Sequence, residues 1–60
     1  MKYFVVFKAE CDGDCYRNDV ITFPKKIDGY EDIEELEKLI KKVWYDDDRE
    51  LTLINFKKLA

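Results

Sequence analysis

Five consecutive residues hold most of the chemistry this chain could offer. Cys11-Asp12-Gly13-Asp14-Cys15 sets two thiols and two carboxylates within one turn. Thiolates and carboxylates are metal donors, but a structural zinc site takes four ligands, usually two Cys pairs or a Cys pair with His. Here there is one Cys pair and no His in 60 residues. Cys11, Cys15, Asp12 and Asp14 are therefore a weak metal constellation. A calcium loop requires alternating Asp positions ahead of its Gly, which this turn lacks. A redox pair requires Cys-x-x-Cys at a helix start, whereas this spacing is one residue longer and lies between strands. A disulfide is geometrically possible. The expected state is nevertheless two free thiols, because no secretory signal is legible at the start and cytoplasmic cysteines are normally reduced.

Carboxylates supply the other reactive groups. Asp28–Glu37 contains six acids and no base. Asp28, Glu31, Asp32, Glu34 and Glu35 are candidates for a negative patch facing a basic partner; the competing reading is a solvated helix face with favourable N-terminal electrostatics. Asp46-Asp47-Asp48 could extend the patch, although adjacent loop carboxylates do not converge on a metal unaided. Triad chemistry needs residues this chain lacks, since it contains neither Ser nor His. No catalytic set and no cofactor is expected. The net charge of −3 and the isolated pairs Lys25-Lys26 and Lys57-Lys58 speak against direct nucleic-acid binding. No run is long enough for a membrane span, and a cytoplasmic protein is expected.

These groups must be positioned by a single domain spanning residues 1–60. Tyr3, Val5 and Phe7 alternate with Phe4 and Val6, so a strand over 2–9 is apolar on both faces and suits the middle of a sheet. Residues 10–18 read as turn material around Asp12-Gly13. A second strand covers 19–23 and stops at Pro24. A helix follows from about Gly29 to Tyr45, with Asp28 and Glu31 at capping-box spacing and Asp32 with Glu35 as a second candidate pair. Ile33, Leu36, Ile40, Val43 and Trp44 form its apolar stripe. A third strand covers 50–57, with Leu51 and Leu53 on one face and Ile54 and Phe56 on the other. The expected fold is α+β, β-β-α-β, a three-stranded antiparallel-type sheet in order 2-1-3 with one helix on one face. A parallel pairing of strands 2 and 3 is the alternative.

Hydrophobic residues are 47% of the chain and aromatics 15%. One helix covers one face of the sheet, yet strands 1 and 3 carry large apolar residues on both. Either the 10–18 loop with Tyr16, Tyr30 and Tyr45 shields the second face, or a second chain does. The expectation is a homodimer, sheet against sheet or edge against edge, because small cores need help and twofold dimers are the commonest assembly. Tyr3, Val5, Phe7, Leu51, Leu53 and Tyr16 are the interface candidates.

Three stretches, Lys2–Lys8 (KYFVVFK), Asp32–Glu37 (DIEELE) and Leu53–Leu59 (LINFKKL), resemble a loose set of very small phage- and prophage-encoded proteins. Those proteins open with a Tyr/Phe/Val-rich strand, carry an Asp-Ile-x-x-Ile/Leu-Glu helix start and close on an Asn-Phe/Tyr strand. Their first turn is rich in Gly and Asn, where this chain has Cys-Asp-Gly-Asp-Cys. Some members are associated with inhibition of bacterial anti-phage defence, the Hachiman system among them. The resemblance implies a non-enzymatic protein-binding module that inhibits a host bacterial defence protein by occluding a surface. The competing expectation is a small metal- or ligand-binding module built on the Cys11–Cys15 turn.

Overall fold

Strand β1 (Lys2–Cys11) carries the alternation that organises the molecule. Tyr3, Val5, Phe7 and Ala9 are buried, whereas Phe4 is exposed and Val6 and Lys8 are half-buried. Strand β2 (Gly13–Thr22) and strand β3 (Leu51–Lys58) both pair antiparallel with β1, in the order β2-β1-β3. The computed structural model describes residues 1–59, and Asp14 by its backbone alone. The α+β architecture, the central position of the first strand and the antiparallel third strand are as the hydrophobic pattern predicts.

The second strand begins much earlier than 19. The reversal narrows to Cys11-Asp12-Gly13, and pairing runs unbroken from Cys11↔Gly13 to Lys2↔Thr22. Gly13 has φ 112°, a conformation that side-chain-bearing residues rarely adopt. Charged Arg17 and polar Asn18 hid the first half of the strand from periodicity, because an edge strand faces water along much of its length.

Beyond β2 the chain crosses to the helix over the end of β1. The Met1 amino group donates to the Phe23 carbonyl at 2.9 Å, and the Phe23 N–H donates to the Met1 carbonyl at 2.8 Å. The buried Tyr3 hydroxyl accepts the Ile27 N–H at 2.9 Å, and the Tyr3 ring meets Phe23 and Phe56 edge-on. Helix α1 (Tyr30–Trp44) starts after Gly29 without a side-chain cap. The predicted Asp28/Glu31 box is replaced by Asp32, whose Oδ2 accepts the Asp28 N–H at 2.9 Å. The helix ends where the Tyr45 and Asp46 N–H groups both donate to the Lys41 carbonyl, with Asp46 at φ 57°. Aspartate tolerates that left-handed geometry better than most residues.

Leu36 and Ile40 of α1 are fully buried on Tyr3, Val5, Phe7 and Ala9, with Ile21, Phe23 and Leu51 completing the core. Burial of each large side chain stabilises by about 1.5–3 kcal/mol. Trp44 packs edge-on against Phe7, centroids 5.3 Å apart, and its indole N–H donates to Asp19 Oδ2 at 3.0 Å. Val43, predicted in the stripe, is 63% exposed. β3 contains a bulge: Val6 pairs with Asn55 and Phe7 with Leu53, leaving Ile54 as the extra residue. The bulge shifts the alternation, so Phe56 joins Leu51 and Leu53 on the helix side instead of opposing them.

Candidate functional site

The helix covers one face of the sheet and leaves the other open. Side chains alternate across a strand, so the pairing defines the open face in rows. Val20, Phe4 and Lys57 form one row, Asn18, Val6 and Asn55 the next, and Tyr16, Lys8 and Thr52 a third. Tyr16, Val20 and Phe4 are 59%, 51% and 39% exposed, and Ile54 at the bulge is also exposed. These are large apolar groups in water, gathered around half-buried Val6. The 10–18 segment cannot fold over them, because it is itself strand. Tyr45 packs with the core on the helix side, and Tyr30 is exposed at the helix start. The shielding loop expected as one alternative is therefore not what this chain builds.

Most of the predicted interface residues lie elsewhere. Tyr3, Val5, Phe7 and Leu51 are buried beneath α1, and Leu53 is half-buried on the same side. They cannot form an outer contact, because the helix packs on the more continuous apolar face of β1, which Ala9 extends. Tyr16 alone of that set is on the open face. Phe4, Val6 and Val20 were missed as site residues. The signal was Lys8, which breaks the Phe4-Val6 face where the Tyr3-Val5-Phe7 face continues into Ala9.

The sheet edges are blunted in part. Alternate N–H groups of an edge strand point away from its partner and invite another strand. The Val20 N–H donates to Asp19 Oδ1 at 2.7 Å, and the Phe56 N–H to Asn55 Oδ1 at 2.8 Å. The Leu53 N–H donates to Glu37 Oε2 at 2.7 Å, which also ties α1 to β3.

The cysteines are not free thiols. Cys11 and Cys15 are bonded to each other, their Cα atoms 6.0 Å apart, because the hairpin closes at Gly13 and brings the strand ends together. Thiols joined in this way are not thiolate ligands, so the Cys pair is removed from the metal constellation. Asp12 is exposed, and the Asp14 side chain lies outside what is described. Among the described residues no three His, Cys, Asp or Glu side chains gather as for a metal ion.

The acidic segment is partly neutralised by the chain itself. Lys25 bonds Asp32 at 2.8 Å and Glu35 at 3.4 Å. This ion pair and the Asp28 N–H hold the Asp32 carboxyl below its ordinary range, and Asp32 in turn raises Lys25. Glu31 and Glu34 remain exposed, as does Asp28. The aspartates of 46–48 do not extend this patch. They lie at the opposite end of a helix about 22 Å long, around a depression shared with Lys38, Lys41 and Lys42. Arg49 grips Asp47 through two nitrogens at 2.8 and 3.0 Å, stacks over Tyr45 at 4.0 Å and donates to the Glu10 carbonyl at 3.1 Å. The guanidinium lowers Asp47 to about 2. A depression of about 160 Å³ among Lys8, Glu10, Glu50 and Thr52 marks one end of the open face, below the roughly 300–1,000 Å³ of usual ligand pockets.

No protein-family model matches the chain, and neither a curated protein nor a solved structure matches it. No helix is long and apolar enough to cross a membrane.

Proposed function

We propose that this chain is a non-enzymatic protein-binding module whose contact surface is the open face of its sheet. One observation carries the reading: a three-stranded sheet covered by α1 on one side and, on the other, presenting Phe4, Val20 and Tyr16 to solvent around Val6. Contiguous exposed apolar groups rimmed by polar ones mark interaction surfaces. In its narrower form the module is a phage-encoded homodimer that inhibits a bacterial anti-phage defence protein by covering part of it. The resemblance of KYFVVFK, DIEELE and LINFKKL to small phage proteins supports that form.

The test places a charge in the face. Val20→Asp and Phe4→Asp are each expected to abolish association, read by light scattering for self-association and by pull-down from bacterial lysate for a host protein. Glu31→Lys with Glu34→Lys, on the helix, is expected to leave both unchanged. A wild-type chain that stays solitary and retains no protein would sink the reading. The competing metal-module reading gains nothing here, because both sulfurs are engaged in the Cys11–Cys15 bond.

A further inference from the structure

The geometry points to a second copy of this chain as the occupant of the open face, stacked with its strands antiparallel to the first. This inference rests on the function proposed above and specifies the partner and its orientation.

Charges are ordered along the strands. The rows that flank the apolar centre differ in sign. At one end stand Lys2 and Lys57, on the open face by their register with Thr22 and Phe4. At the other end stand Glu10 and Glu50, adjacent through the Glu10 N–H to Glu50 carbonyl bond of 2.9 Å. A face that is basic at the Lys2 end, apolar in the middle and acidic at the other end, where Glu10 and Glu50 outnumber Lys8, complements itself when one copy is reversed. Two face-to-face sheets related by a twofold axis have that axis in the plane between them. An axis along the strands sets Lys2 over Lys2 and Glu10 over Glu10, which repels. An axis across the strands, through the Asn18–Val6–Asn55 row, sets Lys2 over Glu10 of the second copy twice. It also sets Val20 over Tyr16 of the second copy, Phe4 over the aliphatic stem of Lys8, and Val6 over Val6. Such a contact is isologous and closed, and aligned sheets pack in this way about 10 Å apart.

Size and edges agree. The molecule measures 33 × 18 × 17 Å, so its broad face spans roughly 600 Å², and two copies bury about 1,200 Å², the lower bound of stable interfaces. Pairing through the β3 edge is disfavoured, since the Phe56 and Leu53 N–H groups already have side-chain acceptors, and on the β2 edge the Val20 N–H is likewise engaged. The small area and the two ion pairs describe a dimer that weakens with dilution and with salt.

Sedimentation across a concentration series tests the arrangement with variants at exposed positions. Lys2→Glu alone and Glu10→Lys alone each turn two attractions into two repulsions, and each is expected to raise the dissociation constant about tenfold. Mixing the two variants restores both attractions, so the mixture is expected to form heterodimers of near wild-type affinity. The double variant Lys2→Glu/Glu10→Lys is expected to recover likewise. Val20→Asp is expected to leave monomer only. A wild-type chain solitary at millimolar concentration overturns the inference, as does a dimer indifferent to Val20→Asp. Single variants that associate normally, or a mixture that does not recover, overturn it too. A solitary chain that still holds a host protein through Val20 would overturn the dimer and leave the protein-binding reading in place.

Discussion

Tyr3 illustrates how much one side chain can be asked to do in so short a chain. Its ring lies in the core against Phe23 and Phe56, and its hydroxyl is the acceptor for the Ile27 N–H. That bond anchors the segment carrying the chain from β2 to α1. Tyr3→Phe keeps the ring and leaves the Ile27 N–H without its partner, so a loss of about 1–2 kcal/mol is expected. Urea unfolding with an unchanged slope reads this directly. An unchanged midpoint would mean that water serves the N–H equally well. The residue could be placed in a strand from alternation, but its hydroxyl's partner is 24 residues away, beyond the reach of any local pattern.

The helix shows where periodicity succeeds and where it overreaches. Ile33, Leu36, Ile40, Val43 and Trp44 fit one stripe, yet the sheet beneath is narrow and only its centre is fully dry. Ile40 is 0% exposed and Val43 is 63% exposed. Ile40→Ala is therefore expected to cost about 2–5 kcal/mol, whereas Val43→Ala stays within about 0.5 kcal/mol. Thermal melts of the two variants would separate them clearly, and equal losses would contradict the packing. The third strand teaches the complementary lesson. Its residue types mark a strand, but the bulge at Ile54 is set by pairing with β1 and moves Phe56 to the helix side. A strand read in isolation has no way to register an extra residue.

The molecule as a whole is a hairpin with a helix and a third strand laid against it. Ten residue pairs join β1 to β2, and the Cys11–Cys15 bond clips the far end of that ribbon. Because the loop it closes is only about five residues, the chain-entropy contribution is about 2 kcal/mol. Cys11→Ser with Cys15→Ser is expected to lower the unfolding free energy from urea titration by that amount while far-UV circular dichroism remains unchanged. Unfolding on loss of the bond would show instead that the hairpin tip organises the rest. The one-sided covering of the sheet follows from the element count: a single α1 cannot shelter two faces, and every loop long enough to try is itself strand or lies on the helix side.

The element order, the central place of β1 and the antiparallel third strand could be read from 60 letters, because each depends on local alternation, turn residues and the rule that the most apolar strand goes to the middle. Which side of β1 faces the helix was signalled only by Lys8, which ends the Phe4-Val6 face where Ala9 extends Tyr3-Val5-Phe7; the bulge at Ile54 and the reach of α1 complete the choice. The state of Cys11 and Cys15 depended on the same kind of information, since the hairpin had to close at Gly13 before two thiols four positions apart met across it. Residue type settles what a segment can be; the distance between segments settles what it touches, and a candidate site is made of touches.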